Sequence, residues 1–176
     1  MPASRAKARI FSPAVAILAA MPPRRTSMTS KPLGLLVVSH SFRHTTRRVF
    51  SASTEAVIRG IQSQGVDVVA KHLCAQGETT GGVNASAARI GPRELREIHL
   101  PVVQAAVEAG VSAVMAAYNE IDGIYCHANP RLLTKILREE YGFRGFVMSD
   151  GVAIDQLDAV TGDRTASGAL ALNAGV

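Results

Sequence analysis

The chain has 176 residues, 47 % hydrophobic and 5 % aromatic, with a formal net charge of +5. That is the size of one domain, and no apolar run approaches the ~20 residues of a membrane helix, so no membrane association is expected. All 14 acidic residues follow Phe50, whereas Arg5, Lys7, Arg9, Arg24, Arg25, Lys31, Arg43, Arg47 and Arg48 precede it. The basic excess therefore belongs to an N-terminal segment, which has no interleaved aromatics or nucleic-acid motif, and no nucleic-acid partner is expected.

Residues 1–48 read as a basic, largely disordered leader, and 49–176 as the folded domain. Cations ahead of the short run Ala14 to Met21 follow the order of a secretory signal. Pro13 and the following Pro22-Pro23-Arg24-Arg25 work against one, which favours a disordered tail and a cytoplasmic chain. Thr54–Gln64 carries Ala56, Val57, Ile58 and Ile61 at helical spacing, with Gly65 as a stop. Val66–Ala70 is short and β-branched and reads as a strand ending on Lys71-His72. A polar, Gly-rich loop spans Gln76–Asn84. It has neither dinucleotide-binding nor P-loop spacing, which sets a nucleotide-binding domain aside.

Arg93–Ala109 is the clearest helix, with Pro101 expected to break it in two. Ser112–Ala117 is the next strand, running into Tyr118-Asn119. Asn129-Pro130 opens a helix striped by Leu132, Leu133, Ile136 and Leu137, and Gly142 closes it. Phe146–Met148 is a strand that stops on Ser149-Asp150-Gly151, and Ala166–Ala174 is a last helix. Asp150 either caps the helix that follows it or stands exposed at the strand end, with Gly151 allowing a sharp turn and leaving room for a ligand. Cys74 and Cys126 make neither a disulfide framework nor, with His72 and His127, a zinc site.

Alternating strands and helices imply a parallel sheet, either doubly wound or a (β/α)8 barrel. Each strand delivers polar groups at its C-terminal end, the edge where such folds build sites.

The stretches IRGIQSQGVDVVAKHL (58–73), GETTGGVNAS (77–86), 93–154 and ALNAGV (171–176), in that order and spacing, resemble glycoside hydrolase family 3, which contains many β-glucosidases and β-xylosidases. The resemblance implies an α/β fold, here a partial (β/α)8 TIM-like barrel with parallel strands, and hydrolysis of O-glycosyl bonds with retention. Carried over position by position, Asp150 becomes the catalytic nucleophile. Lys71 and His72 bind sugar hydroxyls, and Tyr118 lies beside the nucleophile. The chemistry agrees with the mapping. Retention needs one ionised carboxylate below the anomeric carbon and a second, protonated group on the leaving oxygen. No step calls for a metal or an organic cofactor, and the implied partner is a β-linked glycoside or oligosaccharide.

The departures are specific. The family's Phe-x-Glu-Asp-Pro motif is absent after Phe50, and residues 1–48 hold no acid to serve as its sugar-gripping Asp. No Asp-His pair follows Lys71-His72, so no acid/base is assigned, and Glu78 reads as a solvated loop charge. The alternative to an active glycosidase is a catalytically inactive truncated fragment with at most weak sugar binding. Arg93, Glu94, Arg96 and Glu97 read as a charged helix surface and His99 as packed on that helix. Asp122 reads as a turn residue and Asp155 as a helix-surface residue. Open sheet edges are expected to favour self-association.

Overall fold

The computed structural model describes residues 33–37 and 44–176. The signal-like run and the leader up to residue 32 lie outside those residues. The described part opens with strand β1, Leu33–Val37, and a helix, His44–Gln62, both of which begin inside the segment read as leader. Ile58, fully buried, anchors that helix, and Val57 and Ile61 pack beside it. Gly65 ends the turn after it at φ 76°, a conformation glycine adopts without steric penalty.

Strand β2, Asp67–Leu73, runs past Lys71-His72 instead of stopping before them. The Lys71–His72 and Leu73–Cys74 peptide bonds are cis, and the register against the next strand shifts between Lys71 and Leu73. After the Gly-rich loop a helix spans 92–108 without a break. Pro101 has no N–H to donate and would clash with the carbonyl four residues back. The chain answers by widening to π-type winding over Leu95–His99, just before Pro101 enters the first turn of Leu100–Glu108. The expected break is thus a local widening.

Strand β3, Ala113–Ala116, leads into a small antiparallel hairpin, β4 (Glu120–Ile121) and β5 (Ile124–Tyr125). Asp122 sits in its turn at φ 50°, as expected of a turn residue. The helix Arg131–Glu140 follows. Asn129 Oδ1 accepts the Leu132 N–H at 3.1 Å, and Leu132, Leu133, Ile136 and Leu137 are each at most 1 % exposed. Each such side chain contributes ~1.5–3 kcal/mol on burial. Gly142 closes the segment at φ 72°, and β6, Phe146–Ser149, follows. A tight turn at Ala153–Leu157, a short helix Asp158–Thr161 and the helix Arg164–Ala174 complete the described chain.

The main sheet is wholly parallel in the order β1-β2-β3-β6. Spatial order therefore equals chain order. A doubly wound sheet reverses direction at a switch point, whereas a barrel winds one way only. Among the described residues the sheet is a four-stranded, open segment of barrel.

Side chains alternate across it. The row Ala70–Val114–Val147 lies on the core side under the helices, and Val68, Val114 and Val147 are buried there. The next row, Lys71–Met115–Met148, faces the other way, toward what is the interior of a closed barrel. Among the described residues no strand covers the outer edge of β1 or β6, and Phe146 on β6 is 50 % exposed.

Candidate active site

The site is assembled from three strand ends. Lys71 and His72 come from the last turns of β2, Tyr118 stands two residues beyond β3, and Asp150 follows β6 directly. All three strands run in parallel, so these groups meet on one rim.

Backbone and buried polar contacts set the spacing. Ala117 N–H donates to Leu73 O at 2.7 Å, which ties the exit of β3 to the end of β2. One residue on, Asn119, fully buried, donates from Nδ2 to Cys74 O at 3.2 Å. Cys126 Sγ approaches the same carbonyl at 3.8 Å. Both cysteines are free and buried; burial pushes the Cys126 thiol up to about 12 and Cys74 well above its usual range, so neither is a nucleophile.

The Asp150 carboxylate is held from both sides. Gly151 N–H donates to Oδ1 at 2.8 Å, and His72 Nε2 lies 3.0 Å from Oδ2. The capping alternative is thereby corrected: the side chain turns back to Gly151 and His72, and the Ala153–Leu157 turn has no side-chain cap. The positive φ near this turn belongs to Val152, at 62°, and not to Gly151. Gly151 is thus not required by backbone conformation. A Cβ there would sit 3.6 Å from Tyr118 Oη, an ordinary contact, so its smallness serves the open space beside the carboxylate.

Tyr118 Oη donates to Gly151 O at 2.6 Å. Desolvation, the charge of Asp150 and a hydrogen bond to it all raise the phenol above its ordinary range. The hydroxyl therefore stays protonated, its one proton shared between the Gly151 carbonyl and the carboxylate. His72 is lowered, first by burial and then by the charge of Lys71, with Asp150 opposing. A neutral imidazole whose Nε2 faces a carboxylate carries its proton on Nε2.

His72, Tyr118 and Asp150 thus come together, and Lys71 reaches them through its charge on His72. Glu78 does not join them: half-buried in the turn Gln76–Glu78, it acts on His99. His99 is 3 % exposed on its helix, as read. Arg93 pairs with Glu97 at 2.9 Å, and Arg96 grips Glu140 through two bonds of 2.9 and 3.0 Å, which accounts for those charges structurally. Asp155 pairs with Arg164 at 2.9 Å.

A hollow of about 230 Å³ lies between β2 and the helix 92–108, walled by Lys71, His72, Leu73, His99, Val102 and Ala106. Neither Tyr118 nor Asp150 borders it. It sits in the sheet–helix layer, so the carboxylate and its donors, not this hollow, define the candidate site. Among the described residues no cluster of three or more His, Cys, Asp or Glu could hold a metal, and no helix is long and apolar enough to cross a membrane.

Comparisons with known proteins match most of the chain. Residues 35–176 fit the model of the glycosyl hydrolase family 3 N terminal domain. The chain belongs to that family. A beta-glucosidase of Rhizobium radiobacter is 48 % identical over 101 residues, covering 57 % of this chain and 12 % of its own length. A beta-xylosidase of Formosa agariphila is 38 % identical over 133 residues, covering 69 % and 18 %. A solved β-glucosidase from Erythrobacter marinus superposes with a TM-score of 0.71 at 32 % identity, over 74 % of this chain and 19 % of that one. A β-glucosidase from Listeria innocua in complex with glucose gives 0.68 at 28 % identity, over 72 % and 19 %. The chain therefore spans less than a quarter of each of these relatives. Its family model starts at residue 35, inside the segment read as leader.

Two contributors were missed in the sequence. His127 is fully buried with Nδ1 facing Ala117 O at 3.4 Å, and Asn119 ties two strand exits together. The sequence named Asn119 only as the residue after Tyr118, and His127 only in setting aside a zinc site, and gave neither a role in the site.

Proposed function

We propose that this rim hydrolyses β-linked glycosides with retention, with Asp150 as nucleophile. The convergence of Gly151 N–H and His72 Nε2 on one carboxylate, at 2.8 and 3.0 Å, carries the reading. Two donors aimed at separate oxygens fix the carboxylate plane, so one oxygen is oriented toward a sugar ring entering over the rim.

In the first half-reaction an Asp150 oxygen bonds to the anomeric carbon as the bond to the leaving oxygen breaks. The leaving oxygen takes a proton from an acid that we do not assign to a residue of this chain. In the second, water passes a proton to that same unassigned group as it attacks the anomeric carbon, the ester to Asp150 breaks, and the carboxylate returns. Lys71 offers three donors, and His72, whose one N–H is held by Asp150, leaves Nδ1 as an acceptor, chemistry suited to the fixed hydroxyls of a pyranose. Tyr118, kept protonated, donates to charge on Asp150 as the leaving ester restores it. The names of the relatives favour a β-glucoside or β-xyloside as substrate. The second reading, an inactive fragment that binds sugar weakly, is favoured by the lack of an acid assigned opposite Asp150. The outer edges of β1 and β6, uncovered among the described residues, also make self-association part of this proposal.

General acid catalysis typically contributes ~10²–10⁴-fold, and an activated aryl leaving group relies on it least. The test incubates the chain with a 2-deoxy-2-fluoro aryl β-glucoside and reads intact mass. The expected result is one covalent sugar on the native chain and none on Asp150→Ala. Equal labelling of both would remove Asp150 from the mechanism.

A further inference from the structure

His127 is 0 % exposed, yet it is a polar side chain between the two loops that carry Tyr118 and Asp150. Its Nδ1 faces the carbonyl of Ala117, one residue before Tyr118, at 3.4 Å. The backbone of Ala153, three residues beyond Asp150, also acts on the ring, although Nε2 closes no hydrogen bond. Buried polar atoms without partners are uncommon in folded proteins and call for a reason. On the rim the same two loops meet a second time, where Tyr118 Oη donates to Gly151 O at 2.6 Å. The loops are therefore bridged at the surface by the phenol, and below it the imidazole holds the β3 exit and lies against the β6 exit. Tyr125 lies beside the imidazole, ring centroids 5.6 Å apart at an angle of 37°.

The geometry points to His127 as a positioning residue: a buried strut between the β3 and β6 exits that sets how closely the Tyr118 hydroxyl approaches the Asp150 carboxylate. It touches neither carboxylate nor substrate, and acts only through the separation of the two loops. The inference rests on the proposed glycosidase reading for its consequence in catalysis, but not for its geometry.

Phe fills the space of His without a polar atom, and Gln keeps an amide that reaches a carbonyl. Two readouts separate the strut from the glycosidase reading. The first is the titration of Tyr118, followed by NMR of ring-labelled tyrosines and assigned with Tyr118→Phe. In the native chain it should titrate above the usual phenol range, as desolvation, the neighbouring Asp150 charge and the hydrogen bond to it dictate. His127→Phe should move it back toward that range, and His127→Gln should keep it raised. The second is the rate of Asp150 labelling by the 2-deoxy-2-fluoro aryl β-glucoside. His127→Phe should lower the maximal rate about 10- to 100-fold at unchanged half-saturating concentration, since displacement by ~1 Å costs of that order. His127→Gln should restore most of it.

A folded His127→Phe chain with unaltered Tyr118 titration would overturn the strut, whether or not the native chain is labelled. A native chain that takes no label at Asp150 would instead sink the glycosidase reading and leave the Tyr118 titration to decide the strut. If His127→Phe does not fold, His127→Asn, too short to span the loops, carries the same expectation.

Discussion

At the scale of single residues, the placement of Asp150, Tyr118 and the Lys71-His72 pair on one rim was legible, because an apolar strand that stops on a polar residue announces a rim. The contact between His72 and Asp150 was not legible. Those residues lie on strands separated by β3, and only the assembled sheet brings Nε2 to 3.0 Å from the carboxylate. Gly145 shows the same limit. Nothing in the sequence pattern singled it out, yet a Cβ there would lie 2.1 Å from Ser112 O and 2.7 Å from the Phe143 ring. Its neighbours Phe146 and Ala113 pair across β6 and β3, so the backbone of Ser112 cannot withdraw without disturbing that register. Overpacking typically costs ~1–3 kcal/mol. Gly145→Ala is expected to lose about 2–3 kcal/mol in urea unfolding, toward the upper end of that range because the nearest atom is backbone. A loss under ~0.5 kcal/mol, the range of an ordinary surface change, would show that the strand start shifts freely.

Among the elements, helices were read well where a stripe ran uninterrupted, as in Leu132 to Leu137, and poorly at their ends. Arg131–Glu140 kept its expected face, whereas along 92–108 burial falls on Leu95, His99, Leu100, Val102, Ala105 and Ala106, and the effect of Pro101 depended on whether the preceding turn could widen, which no local pattern encodes. The last helix begins at Arg164, two residues before the expected start, because Asp163 caps it. Asp163 Oδ2 accepts the Ala166 N–H at 2.7 Å, satisfying one of the four N–H groups a helix start leaves open. Thr161 Oγ1 and Ser167 Oγ close the same corner at 2.7 Å, and Ser167 Oγ also donates to Asp158 Oδ1 at 2.6 Å. Asp163→Ala is expected to cost about 1 kcal/mol, the usual value of such a cap. Amide exchange at Ala166 and Ser167 should rise with it. Unchanged exchange there would mean that the Thr161–Ser167 corner, not the carboxylate, holds the helix start.

For the whole molecule, the order β1-β2-β3-β6 sets the consequence. A parallel strand left without a neighbour presents a row of unpaired N–H and C=O groups, and a barrel removes that liability only by closing on itself. Here the outer edge of β6 is uncovered among the described residues. It carries Phe146, 50 % exposed, and Leu172 on the following helix is 71 % exposed. Scattered exposed apolar groups are ordinary, but one on a free strand edge supplies both hydrogen bonds and apolar area to a second chain. The 176-residue chain is therefore expected to associate reversibly through this edge. Light scattering coupled to size exclusion should show a mass that rises with concentration. Phe146→Lys puts a solvated charge on the edge, the device natural sheets use against pairing, and should return the chain to monomer without lowering its thermal midpoint by more than a few degrees. A native chain that stays monomeric across the concentration range would show that the edge is protected. Association that persists unchanged in Phe146→Lys would place the contact on another surface.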